Sequence, residues 1–202
     1  MEPDHADVDM SAPAPIHGLP RFAVVDIETS GLSRRRHRIL QVAIVTVDDG
    51  VVVDEWESLL KLSWPLQRVG PRKVHGIDRK MLRNAPPRRQ VLGELIERID
   101  GAVLIAHNVR FDWPFIERAA HKAGIATARP QRICTLRLSR QLDPDRQLSH
   151  RLGDVCTRYG ITNERPHDAI HDARATAAIL PHLLEAHGVE STADLESLYE
   201  RR

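Results

Sequence analysis

Apolar residues open the first recognisable element at Val24-Val25 and give way to alternating acids, Asp26-Ile27-Glu28, before Thr29-Ser30-Gly31-Leu32 breaks the pattern. Alternation with a period of two predicts a strand that ends at a site. Ile39 to Val47 is apolar and β-branched, the pattern of a buried strand, and Asp48-Asp49-Gly50 signals a turn into a third strand, Val51 to Leu60. Three strands therefore precede the first helix. Residues 61–86 are punctuated by Pro and Arg, with a small-residue turn at Val74-His75-Gly76-Ile77. From Pro87 the period becomes helical: Val91, Leu92, Leu95, Ile96 and Ile99 share a face, and Asp100-Gly101 stops the helix. Ala102 to Ala106 is wholly apolar, as expected of a strand buried on both faces and parallel to its neighbour. A second helix follows at once, with Pro114 in its first turn and an apolar face from Phe115 to Ala123. Arg132 to Leu138 predicts a further strand, Leu148 to Tyr159 a short amphipathic helix, and the stretch from His167 opens a long C-terminal helix that runs on towards His187, with a possible short helix over Ala193 to Tyr199.

Composition narrows the picture. A chain of 202 residues with 42% hydrophobic content suits one catalytic domain, read here as 21–187, followed by a short tail at 188–202. Residues 1–20, rich in Pro, Ala and Asp, lack the basic and apolar regions of a signal peptide and predict a disordered leader. No run reaches membrane-spanning length, so no membrane role is expected. Cys134 and Cys156 are isolated and predict small buried side chains, which fits a reducing cytoplasm. The net charge of +1 gives no polycationic signature; Arg34, Arg35, Arg36 and Arg38 read first as a solvated loop, although they follow the acidic strand closely, where a phosphate backbone would pass.

The candidate chemistry lies in the acids. Asp26 and Glu28 project from one face of a strand about 7 Å apart, and such a pair near a core calls for a cation between them, with hard oxygen ligands suiting Mg²⁺ or Mn²⁺. Asp112 is either the N-cap of its helix or a third carboxylate at the carboxyl edge of the sheet. Asp172 shares a helix face with Thr176, Ile179 and Leu183, so it needs a partner, a metal or an arginine. His167 falls off that face and belongs to the loop before the helix. A different class is also open, because His167-Asp168-Ala169-Ile170-His171 is one methylene short of the zinc-protease helix HExxH. Asp is a short general base there, and no third ligand is evident.

Taken together, Asp26-x-Glu28-Thr29-Ser30-Gly31-Leu32, His107-Asn108-x-x-Phe111-Asp112 and His167-x-Ala169-x-x-Asp172-Ala173 resemble the three motifs of the DnaQ-like, DEDDh exonucleases, the family of the proofreading epsilon subunit of DNA polymerase III. His75-Gly76-Ile77 resembles the segment between the first and second motifs. The resemblance spans about residues 21–187. It implies an α/β, RNase H-like fold with a five-stranded mixed sheet ordered 3-2-1-4-5 and flanked by helices. By the same resemblance Asp26, Glu28, Asp112 and Asp172 hold two Mg²⁺ or Mn²⁺ ions, and His167 is the general base. Thr29, Leu32, His75, Asn108 and Phe111 then bind a nucleic-acid 3′ end, expected to be single-stranded DNA, in proofreading, repair or trimming. The alternative within the family is an exoribonuclease of the RNase T or oligoribonuclease kind, and Asp-Ile-Glu-Thr-Ser-Gly resembles the epsilon version of the first motif better than the oligoribonuclease one. Cys134-Thr135 departs from the Asp-Thr of many relatives, outside the catalytic set. The resemblance leaves room for a polymerase or repair protein as a partner, while the short tail after Gly188 predicts a free-standing nuclease over a polymerase subunit.

Overall fold

The computed structural model describes residues 18–62 and 67–201. β1 (Phe22–Thr29), β2 (Ile39–Asp48) and β3 (Val51–Leu59) form an antiparallel meander, and the β2–β3 turn places Asp49 at φ 47° and Gly50 at φ 79°. Two consecutive positive φ angles match the right-handed strand twist that a tight hairpin requires. On the other side of β1, β4 (Val103–Ala106) and β5 (Arg132–Cys134) run parallel to it, giving the order β3-β2-β1-β4-β5. This is the order the resemblance implied.

Strand alternation sorts the core into two layers. Phe22 and Val24 of β1 face a cluster built on α7 (Ala169–Ala186), whereas Ala23, Val25 and Ile27 face α3 (Arg88–Ile99) and α4 (Val109–Lys122). A sheet covered on both faces explains why β4 reads as four apolar residues without alternation, all of them buried. The same alternation aims Asp26 and Glu28, on the Phe22 and Val24 face, at α7.

Several expectations give way to tertiary context. The strand expected over Arg132–Leu138 lasts three residues, because β5 pairs only with Leu104–Ala106. Beyond that edge the backbone has no strand to bond to, and it turns into α5 (Thr135–Gln141), which buries Leu138 against the α7 layer. The helix expected from Leu148 starts only at Leu152, as α6 (Leu152–Arg158), because the backbone N–H groups of Gln147 and Leu148 both donate to the Asp143 carboxylate in a turn. Pro114 sits in the second turn of α4 rather than the first. Residues 72–75 and 79–83, expected as loop and turn, form two short helices, α1 (Arg72–His75) and α2 (Arg79–Arg83), the latter capped by Asp78. The tail folds as a 3₁₀ helix over Thr192–Leu198, with a capping box between Ser191 and Asp194 and with Leu195 and Leu198 buried.

The expected leader falls outside the described residues except at its end. There the Gly18 N–H donates to Asp49 Oδ1 at 3.0 Å and the Gly18 carbonyl accepts from Thr192. Cys134 and Cys156 are buried free thiols, as expected. Among the described residues no helix is long and apolar enough to cross a membrane.

Candidate active site

β1 delivers its acids where the sheet stops being regular. The β1–β2 register shifts between Glu28 and Thr29, and the chain then folds back so that the Ser30 N–H donates to the Arg38 carbonyl at 2.9 Å and the Arg38 N–H to Ser30 Oγ at 3.1 Å. The loop that follows is held close by two glycines. At Gly31 (φ 150°) a Cβ would lie 2.6 Å from the His37 ring, and at Gly70 (φ 78°) it would lie 2.6 Å from the Ser30 carbonyl oxygen. Neither position accepts a side chain without displacement.

Beyond β4, His107 anchors the next segment. Its Nε2–H donates to the His150 carbonyl at 2.9 Å and its Nδ1 lies 3.0 Å from Thr135 Oγ1. Burial pushes its pKa down, in keeping with a neutral ring in that bonding pattern. Asn108 is the N-cap of α4, so Asp112 is not the cap; it lies in the first turn, 5% exposed, and takes backbone N–H groups including that of Ile27 in β1. α4 is thereby fastened to the acidic strand. From the other layer, α7 presents Asp172 in its first turn, with Thr176, Ile179 and Leu183 buried behind it. The partner expected for Asp172 is not an arginine: Asn163 Nδ2 donates to Oδ1 at 2.6 Å and the His167 N–H to Oδ2 at 3.0 Å. His167 stands outside the helix at φ 66°. The zinc-protease arrangement is absent, since His167 precedes α7 while His171 is buried within it and accepts from Arg165 Nε at 3.1 Å.

The electrostatics of the cluster suit a cation. Burial raises the pKa of Asp26 well above the ordinary value, helped by Asp112, Asp172 and Glu28. Glu28 is pushed up to about 8 by burial and then by Asp172, Asp168 and Asp112, and burial takes Asp112 to about 7. No Lys or Arg pairs with Asp26, Glu28, Asp112 or Asp172 among the described residues. Donor atoms of Glu28, His167 and Asp172 lie within 4.8 Å of one another. A set dominated by carboxylate oxygens, crowded and uncompensated, fits hard divalent cations.

The residues expected to bind substrate are found in different states. Thr29 is buried, with Oγ1 donating to the Gly31 carbonyl at 3.0 Å, whereas the Leu32 side chain is 85% exposed. Asn108 is exposed and its side chain caps nothing. Phe111 packs on Phe115 at 4.9 Å between ring centroids. His75 is buried and spends both ring nitrogens within its own loop, Nε2 on the Val69 carbonyl at 3.0 Å and Nδ1 accepting from the Ile77 N–H at 3.1 Å. Its charge would oppose that of His167. Sequence reasoning missed Asn163, Asp168 and Gln41, whose Nε2 lies 2.9 Å from Glu57 Oε2 and 3.4 Å from Asp168 Oδ1. None of them carries a local signal beyond polarity.

The RNase_T exonuclease family model matches residues 23–180. The chain is 34% identical over 184 residues to the PolC-type DNA polymerase III of Caldanaerobacter subterraneus subsp. tengcongensis, covering 90% of this chain and 13% of that protein. It is 29% identical over 166 residues to the 3′-5′ exonuclease DinG of Bacillus subtilis, covering 82% of this chain and 18% of DinG. The chain thus spans only a small part of either relative. Among solved structures, E. coli exonuclease I in complex with a dT13 oligonucleotide matches with a TM-score of 0.73 at 19% identity, over 84% of this chain and 42% of that one. The RNase H-like fold is shared.

Proposed function

This chain belongs to the RNase_T exonuclease family, and from that premise we propose that it is a DEDDh enzyme that releases 5′-mononucleotides from the 3′ ends of DNA with two divalent cations, in proofreading, repair or end trimming. What carries the reading is the convergence of four uncompensated carboxylates with the His167 ring against Glu28 and Asp172. DNA is favoured because one relative is a DNA polymerase.

Asp26, Glu28, Asp112 and Asp172 would hold the ions, which when bound neutralise charge on the phosphoryl oxygens and make water a stronger acid. The rest of the chemistry belongs to the chain. His167 accepts the proton of the attacking water as a neutral ring, and its backbone N–H on Asp172 Oδ2 holds the loop in register with that carboxylate. Thr29, Leu32, Asn108 and Phe111 position the terminal nucleotide, with Leu32 and Phe111 offering apolar contact to its base, and His75 braces the wall beside them.

Purified protein incubated with Mg²⁺ or Mn²⁺ and with 3′-labelled and 5′-labelled DNA and RNA oligomers tests this. Mononucleotides are expected from the 3′ end, faster from DNA, with EDTA abolishing release and Asp26→Asn lowering turnover by about 10³-fold or more, the worth of several kcal/mol of charge stabilisation. Release from the 5′ end, or restoration by zinc and not by magnesium or manganese, would sink the assignment.

A further inference from the structure

A second feature lies along α4, away from the acids. Arg34 and Arg38 of the loop after β1, Arg88 and Arg89 at the start of α3, and Arg118 and Lys122 in the last turns of α4 line a groove of about 380 Å³ with no acidic residue in its wall. None of the six has a carboxylate partner among the described residues. In a chain with 28 acids and a net charge of +1, such an acid-free cluster is a local arrangement and not a general excess of base. Two of the guanidinium groups are fixed by backbone carbonyls, Arg38 Nη1 on His37 and Arg88 Nη1 on Ile39, both at 2.9 Å. Their remaining N–H groups stay available. The charges also feel one another: Arg38, Arg118 and Arg88 all lower the Lys122 pKa, and burial together with Arg38 brings Arg88 down to about 10. Cations held together in this way gain from an anion shared among them.

Direction is supplied by the helix. Phe111, Phe115, Arg118 and Lys122 recur at i, i+4, i+7 and i+11, so they form one stripe along α4. From Asp112 to Lys122 the rise is roughly 15 Å. The stripe starts at Phe111, next in sequence to Asp112, and ends with cations in the groove.

We propose that this groove holds the phosphodiester backbone of the substrate at a distance from the bond being cut, so that the protein grips nucleic acid at two separate places. The proposal rests on the nuclease reading. The phosphates come either from the cut strand upstream of its 3′ end or from a strand paired to it, and the groove chemistry is the same for both.

The test compares wild type with the double variant Arg118→Gln/Lys122→Gln, both exposed positions, and with Arg83→Gln/Arg129→Gln, which removes the same charge from exposed sites outside the groove. Substrates are a single-stranded 20-mer, the same strand in a blunt duplex, and the p-nitrophenyl ester of thymidine 5′-monophosphate, which has no upstream tract. For the groove variant, KM is expected to rise roughly tenfold, on both oligomers or on the duplex alone, with kcat changed less than about twofold. The log–log salt slope should become shallower by about 1.4, the value for two lost phosphate contacts on a single strand. A response on both oligomers assigns the phosphates to the cut strand, and a response on the duplex alone assigns them to its complement. An equal rise in KM for the nitrophenyl ester, an unchanged salt slope on both oligomers, or the same shift in the Arg83/Arg129 variant would overturn the proposal. Wild type inert on all three substrates would instead overturn the nuclease reading. The groove would then be judged by fluorescence anisotropy of labelled 20-mer and duplex in EDTA, where Kd should weaken roughly tenfold in the groove variant and where equal Kd values would refute it.

Discussion

His167 holds a left-handed backbone conformation that costs a non-glycine residue about 1–2 kcal/mol, and it does so at the one place where its N–H reaches Asp172 and its ring reaches the acids. His171, four residues on, is buried and engaged with Arg165. The two histidines should therefore separate cleanly in kinetics. His167→Ala is expected to lower turnover by about 10²–10⁴-fold, the usual worth of a general base, with calorimetry still showing Mn²⁺ binding. His171→Ala should retain most activity. A crippled His171→Ala beside a near-normal His167→Ala would move the base to the other histidine.

At the scale of elements, the site depends on loops fitted to the end of β1. Gly70 adopts φ 78° against the Ser30 carbonyl, whereas Gly76, at φ 71°, faces open space. Ala at Gly76 should cost only backbone strain, about 1–2 kcal/mol, while Ala at Gly70 adds a clash with backbone that cannot swing aside. Thermal melts should place Gly70→Ala below Gly76→Ala by about 2–4 °C for each further kcal/mol, and kcat/KM should fall more in Gly70→Ala. Equal melts and equal kinetics would mean that this loop does not brace β1. The same scale shows what the sequence could and could not reveal. β1 to β4, α3, α4 and α7 were legible because their apolar periods run long enough to name a face, and the acids were legible because three motifs keep their order along the chain. α5 was not, since the length of β5 is limited by its short neighbour β4, a fact of tertiary pairing. Asn163, nine residues from Asp172, and His150, 43 residues from His107, act through single hydrogen bonds that leave no periodic trace.

For the whole molecule, the near-neutral total conceals a separation of charge between an acidic centre and the cationic groove. The centre ties stability to pH. In the metal-free protein Glu28 titrates near 8 instead of 4.5, Asp112 near 7 instead of 3.8, and Asp26 is raised as well, each first through burial. Between about pH 4 and 8 these three acids therefore bind more protons in the folded state than in the unfolded chain, and their contribution to the unfolding free energy falls as pH rises through that window, whereas His75, His107 and His182, held low by burial, work the opposite way only below their ordinary value of 6.5. Asp78, Asp143 and Asp194 are shifted the other way by hydrogen bonds, so their contribution is present above their ordinary values and is lost only as the pH drops below about 4. They do not offset the loss at neutral pH. A divalent cation replaces the protons that the acids would otherwise keep, so its stabilisation should grow as the solution becomes more alkaline. Melting curves from pH 5 to 9 in EDTA are expected to show Tm falling by about 5 °C or more towards pH 8. With millimolar Mg²⁺ or Mn²⁺ the decline should be shallower, and the gap between the two series should widen with pH. Asp26→Asn, which removes one of the repelling charges, should flatten the EDTA series. Parallel series for EDTA and metal across the whole range would show that these carboxylates do not share one cation-binding centre.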